Sequence, residues 1–387
     1  DNVVHLVLAR TPDAPPGTKG ISCFIVPKFM VNDDGTLGEP NDLKVVSIEH
    51  KMGINASPTC TMSFGDQGGA TGWLLGNEFD GMRVMFVMMN MARLSVGVQG
   101  LGLAERTLQG ALAHADERVQ GKVVGTPKED RTSPIVGHPD VRRMLLDMRS
   151  ITEAMRGICL MNAVAMDGAS ALSDEDDRQK AEDLNELLIP ITKAWCTDMG
   201  VEVTSLAVQV FGGMGFVEET GVSQFFRDAR IAPIYEGTNG IQAMDLVGRK
   251  LPMRAGGVVT DTMANIRATI DELNGQEELA GIASRLSEAT DALDEATQWI
   301  FANSGDIRDV LSGATPYLRM WGLVVGGWVL GKSALAATEW AAEGGDEAFC
   351  TEKVRTARWF ADQQLPAVAG LVPRATAGAA LMDEASL

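Results

Sequence analysis

At 387 residues, with 45% hydrophobic content, 20 Met and only 5% aromatic residues, the chain has the size and make-up of a helix-dominated globular protein of two or three domains. Its 52 acidic and 33 basic residues leave a net charge of -19, which argues against nucleic acid as a partner. Five scattered cysteines (Cys23, Cys60, Cys159, Cys196, Cys350), without a Cys-x-x-Cys pair or His at metal-ligand spacing, predict a reduced, metal-free, cytoplasmic protein.

The first 76 residues alternate β-branched runs with turn residues. Val3–Leu8, Ile21–Pro27, Lys44–Ile48 and Thr59–Phe64 read as strands, and the opening residues already lie inside a strand pattern, as in a truncated start. From Phe79 to Val119 apolar residues recur at helical spacing, predicting one long helix with a candidate break at Gly97–Gly102. The Gly97-Val-Gln-Gly100-Leu-Gly102 run looks like a dinucleotide fingerprint, but it does not follow a strand; close helix packing is the better account.

A polar loop, Gly121–Gly137, leads to a helix from Pro139 to Leu172. A charged link, Ser173–Arg178, leads to another from Gln179 to Val210, with a kink expected at Pro190 and a C-terminal cap at Gly212 and Gly213. Pro252–Gly257 reads as a linker. Three further amphipathic helices are predicted near 261–302, with a break at Gly275, 307–342 and 348–369, followed by a frayed end from Ala375. The apolar run Trp321–Gly331 is about half the roughly 20 residues a membrane span requires, so it reads as a buried helix and no membrane partner is expected.

The chemistry concentrates between Gln209 and Gln242. Phe211-Gly212-Gly213, Arg227-Asp228-Ala229 and Tyr235-Glu236-Gly237-Thr238 stand there in fixed order. Abstracting a proton from carbon needs a close, dehydrated carboxylate, and Glu236 is the candidate. Gly237 allows close backbone approach, and Thr238 is a natural N-cap for a helix from Asn239, whose positive end would face an electron-rich ligand. Together with Met91-Ala-Arg-Leu-Ser95 and Glu117-Arg-Val-Gln-Gly121, this pattern resembles the acyl-CoA dehydrogenase family.

The resemblance implies a mostly α fold with a small β-domain at the start. Residues 1–78 would be the second half of the middle β-domain, 79–252 the helical flavin and acyl-CoA domain, and 253–387 a C-terminal helical extension. By resemblance Glu236 is the catalytic base; Arg118, Gln120, Gln209, Gly212, Gly213, Thr238 and Gly240 serve FAD; and Met89, Asn90, Arg93, Tyr235 and Gly237 serve the acyl-CoA substrate. Some relatives carry their base at the position of Ala92, where alanine cannot act, which leaves Glu236 as the family-type base.

The extension resembles a large subclass that includes bacterial enzymes oxidising 3-methylthiopropanoyl-CoA in dimethylsulfoniopropionate breakdown. A homodimer or dimer of dimers sharing flavin sites is implied, with an electron-transferring flavoprotein as acceptor. The segments that would grip the flavin ring lie upstream of Asp1, so the chain alone is expected to bind FAD poorly. The alternatives are an acyl-CoA oxidase and a non-catalytic scaffold.

Overall fold

A computed structural model describes residues 2–125 and 133–386. The chain forms two compact units, Asp1–Ala92 and Arg93–Leu387.

Among the described residues the first unit holds seven strands: β1 (Val4–Ala9), β2 (Ser22–Pro27), β3 (Phe29–Val31), β4 (Leu37–Pro40), β5 (Leu43–Ile48), β6 (Cys60–Phe64) and β7 (Trp73–Leu75). They pair antiparallel in the order β1-β2-β7, with separate β3-β4 and β5-β6 ribbons. In register, Leu6 faces Ile25 on β2, and Phe24 in turn faces Leu74. Cys23 and Val26 are buried on β2, whereas Val4, Leu6 and Leu8 form an exposed apolar row on β1.

The first unit also fixes the start of helix α1 (Gly81–Glu117). Gly81 N–H donates to the Ile21 carbonyl at 2.9 Å, and Phe79 N–H to Ser22 Oγ at 3.0 Å. A Cβ at Gly81 would stand 2.5 Å from the Ser22 carbonyl carbon, so glycine is what allows the helix to leave that strand so closely.

In the second unit, α2 (Pro139–Ala171) and α3 (Glu175–Phe211) pack against each other along their lengths. The helix α1 runs unbroken through Gly97–Gly102, so the candidate break is not used and the glycines serve close helix packing as expected. A Cβ at Gly97 would meet Thr192 Cγ2 at 2.8 Å, and one at Gly100 the Cys196 carbonyl oxygen at 2.6 Å, so these glycines bring two backbones together. The expected link before α3 is shorter than predicted, because Asp174 caps the helix by accepting from Asp177 N–H at 3.0 Å. The helix passes through Pro190 and ends at Gly212, with φ 62.

Next come α4 (Val222–Ala229) and α5 (Asn239–Asp245), which continues through a π-turn at Leu246–Lys250. The expected linker is instead a tight 3-10 turn, Met253–Gly256, in which Arg254 and Ala255 take left-handed conformations.

The remaining helices are α6 (Gly257–Asn274), α7 (Ala280–Ala302), α8 (Ile307–Ser312), α9 (Ala314–Ala342), α10 (Glu347–Gln363), α11 (Ala367–Ala375) and α12 (Ala380–Glu384). The expected 307–342 helix divides at Gly313, where a Cβ would stand 2.0 Å from the Ala375 carbonyl oxygen. The expected 348–369 helix divides before Pro366. The expected frayed tail instead has Ala379 N–H held by Asp309 at 2.7 Å and ends in α12.

Helix α9 is buried at every position from Met320 to Gly331, where it packs among α2, α3, α5, α6, α7, α10 and α11. Tyr317, Met320, Trp321, Val324 and Val325 are fully buried, and each large apolar side chain of this kind contributes about 1.5–3 kcal/mol. The residues Gly81–Glu117, Glu175–Phe216 and Ala314–Ala342 are long and apolar enough to cross a membrane by length and composition. Counting only Trp321–Gly331 underestimated the third; 78% of its apolar window is buried inside the protein.

Candidate active site

Glu236 lies in the loop between α4 and α5. The loop is closed by Asn239 N–H donating to the Pro233 carbonyl at 3.0 Å. Glu236 has φ 55 and Gly237 φ 83, two successive left-handed residues. For glycine this conformation costs little, but for glutamate it costs about 1–2 kcal/mol and persists only where the surroundings hold it. Thr238 caps α5 as expected, accepting from Ile241 N–H at 3.3 Å, and both Thr238 and Gly240 are exposed.

The surroundings are buried and polar. A Cβ at Gly237 would stand 2.8 Å from Gln242 Nε2 and 3.6 Å from Arg93 Nη2, so Arg93 does lie beside the loop. Arg93 is only 3% exposed, and its Nη1 donates to Asp245 Oδ2 at 3.2 Å; Arg249 Nε contacts the other oxygen of Asp245 at 3.0 Å. Gln242 is fully buried and donates to the Gly237 carbonyl at 3.2 Å, while its Oε1 has no hydrogen-bond partner among the described residues. The Tyr235 hydroxyl donates to Gln99 Oε1, and burial raises the Tyr235 phenol above its ordinary value.

Sequence reasoning missed a second layer. Lys193, on α3, is fully buried and donates to Asn239 Oδ1 at 2.9 Å. Asn239 Nδ2 lies 2.7 Å from Asp198 Oδ1, 3.0 Å from Thr197 Oγ1 and 3.1 Å from the Ala194 carbonyl. Burial pulls the Lys193 ammonium down to about 8, with Arg93 pushing the same way and Asp198 and Glu236 opposing. Burial also raises the Asp198 carboxyl. The available signal was Lys193 itself, the one cation in the apolar run Leu187–Cys196.

A second group of predicted residues gathers at the ends of α1 and α3. Gln209, Gly212 and Gly213 are exposed, and a Cβ on either glycine would meet nothing within 4 Å. The His114 ring stacks on Phe211, with centroids 4.2 Å apart, which sets the end of α1 against this glycine turn. Burial, followed by the nearby Arg118 charge, lowers the pKa of His114. Arg118 and Gln120 are exposed just beyond α1; the Arg118 carbonyl accepts from Ile135 N–H at 2.8 Å, and the Gln120 carbonyl lies 2.8 Å from His138 Nε2. Met89 and Asn90 lie half-buried on the part of α1 that belongs to the first unit.

Two family models cover most of the chain: "Acyl-CoA dehydrogenase, C-terminal domain" matches residues 80–251, and "Acetyl-CoA dehydrogenase C-terminal like" matches residues 262–385. The chain belongs to the acyl-CoA dehydrogenase family. Among acyl-CoA dehydrogenases it is 47% identical, over 94% of its length, to a 3-methylmercaptopropionyl-CoA dehydrogenase of Ruegeria pomeroyi. It is 37% identical, over 95% of its length, to a butyryl-CoA dehydrogenase of Syntrophomonas wolfei. The chain spans 62% of the length of each of these two relatives.

Among solved structures, Caenorhabditis elegans ACDH-11 in complex with C11-CoA superposes with a TM-score of 0.76 at 20% identity, over 94% of this chain and 57% of that one. An acyl-CoA dehydrogenase of Bacillus anthracis complexed with FAD gives 0.75 at 20% identity, over 96% and 61%. At such identities these two structures establish the acyl-CoA dehydrogenase fold.

Proposed function

We propose that this chain carries the base and part of the cofactor cradle of an FAD-dependent enzyme that dehydrogenates an acyl-CoA thioester to the 2,3-enoyl-CoA. The observation that carries the reading is the carboxylate of Glu236, held on a left-handed loop whose neighbours are a buried arginine, a buried lysine and a glycine that leaves the backbone bare. In this reading Glu236 takes the α-proton of the thioester. Arg93 and Lys193 bring buried positive charge to the neighbourhood of the loop. Tyr235, anchored on Gln99, and Gly237 line the approach to the base.

Gln209, Gly212, Gly213, Arg118 and Gln120 fit FAD in chemistry. The open glycine turn lets a ligand reach the backbone, and the exposed guanidinium can pair bidentately with pyrophosphate oxygens. Thr238 and Gly240, exposed at the start of α5, would add the positive end of that helix. FAD, when bound, supplies the acceptor for the β-hydrogen as hydride.

The 47% identity to the Ruegeria pomeroyi protein supports 3-methylthiopropanoyl-CoA as the substrate, and hence a place in dimethylsulfoniopropionate breakdown. An electron-transferring flavoprotein is the proposed acceptor, the enzyme works as a homodimer or dimer of dimers, and it is cytoplasmic.

The test is Glu236→Gln in the full-length enzyme, assayed anaerobically for substrate-driven bleaching of flavin absorbance. Loss of a general base lowers turnover by about 10²–10⁴-fold. Turnover within twofold of wild type would refute the assignment.

A further inference from the structure

The Glu236 loop is strained, and the contacts that hold it do not come from Glu236 itself. Three residues on, Asn239 is the first residue of α5, and its side-chain amide lies between a buried cation and a half-buried carboxylate of α3. Its carbonyl accepts from Lys193 Nζ at 2.9 Å, while its NH2 group faces Asp198 Oδ1 at 2.7 Å. Opposite charges on the two sides fix which end of the amide points where, and Thr197 Oγ1 and the Ala194 carbonyl complete the seat. The amide is thereby a bridge between Lys193 and Asp198 that draws the start of α5 onto α3.

We infer that Lys193 is a positioning residue: through Asn239 it clamps the start of α5 and so holds Glu236 in the left-handed conformation from which it meets the substrate. This inference rests on the reading of Glu236 as the base.

A buried ammonium is a poor choice for stability alone. Among the described residues its desolvation is opposed by the charges of Asp198 and Glu236, with Arg93 of α1 adding repulsion. From α9, Arg319 acts on Asp198, as does Glu202 of α3; a cavity of about 150 Å³ reaches Asp198 and Asn239 from that side. A methionine would fill the space of Lys193 without the charge. That a lysine stands there is accounted for by the direction its ammonium imposes on the Asn239 carbonyl.

The experiment compares Lys193→Met, Asn239→Ala and the double variant in the full-length, flavin-loaded enzyme with 3-methylthiopropanoyl-CoA. Each single variant is expected to lose at least tenfold in kcat with KM within threefold. The double variant should be no worse than Asn239→Ala, because the positioning by Lys193 is relayed by Asn239. At pH 7 Lys193→Met should unfold at a urea concentration no lower than wild type, whereas a merely structural lysine would lower it.

A kcat for Lys193→Met within twofold of wild type overturns the inference, as do multiplicative losses in the double variant. If Lys193→Met does not fold, Asn239→Ala decides alone, by the same tenfold criterion. If the wild-type enzyme shows no acyl-CoA-dependent flavin reduction, the functional reading fails and the clamp is judged by hydrogen exchange. Amides of residues 236–241 should then exchange at least tenfold faster in Lys193→Met, and unchanged exchange overturns it.

Discussion

Replacing Gly237 by alanine probes the loop most directly. Gly237 has φ 83, a conformation that costs a residue with a Cβ about 1–2 kcal/mol. The new methyl would also stand 2.8 Å from Gln242 Nε2, inside the closest approach real Cβ atoms make. Gln242 is fully buried, and its amide donates to the Gly237 carbonyl at 3.2 Å, so it cannot swing into solvent; moving it loses a hydrogen bond worth about 0.5–1.5 kcal/mol. Together the two terms predict a loss of about 1.5–3.5 kcal/mol, read from urea midpoints on the full-length protein. Arg93 Nη2, 3.6 Å from the same methyl, is in ordinary contact and adds nothing. The control is Gly213→Ala, where the methyl meets nothing within 4 Å and a surface change stays within about 0.5 kcal/mol. If Gly237→Ala also stayed within 0.5 kcal/mol of wild type, the geometry assigned to the loop would be wrong.

Other perturbations have equally definite expectations. Asp245→Ala removes the buried partner of Arg93 and should cost about 3–5 kcal/mol in chemical denaturation. Gly322→Ala would place a methyl 2.1 Å from Trp195 Cγ in the packed core and should cost about 3 kcal/mol or more, with near-ultraviolet dichroism reporting displacement of the tryptophan. Because the folded-state pKa of Lys193 is depressed to about 8 from 10.5, the unfolded chain binds more protons between those values. Stability contributed at this site should therefore rise as pH increases from about 8 towards 10.5, and the urea midpoint of wild type relative to Lys193→Met should rise between pH 7.5 and pH 9.5.

Much of the helical layout was legible because α2, α3 and α9 carry long uninterrupted apolar patterns, and because local chemistry marks their ends: Pro139 opens α2 and Gly212 closes α3. What sequence alone left open or misplaced was decided by contacts between distant residues. Glycines that look like helix breakers at 97 and 100 are tolerated because each lets α1 touch the backbone of α3. The division at Gly313 depends on Ala375, sixty-two positions away, whose carbonyl occupies the place of a side chain. Within the site, Glu236, Gly237 and Thr238 announced themselves as a contiguous motif. Lys193, Gln99 and Asp198 did not, since their relation to the loop exists only after α1, α3 and α5 have packed.

The arrangement of charge explains why the loop and the helices need each other. Near Glu236 the protein buries Arg93 and Lys193, two cations that would repel one another in a low-dielectric interior. Each has a different answering group: Asp245 meets Arg93 directly, whereas Asp198 meets Lys193 through the Asn239 amide. Both answering chains converge on α5, whose first residue is Asn239 and whose last is Asp245. The short helix is thus tied at one end to α3 and at the other to α1, with Gln242 between them returning to the Gly237 carbonyl. A strained carboxylate three residues before such a helix inherits its fixity. The same ties mean that weakening either cation should loosen the loop.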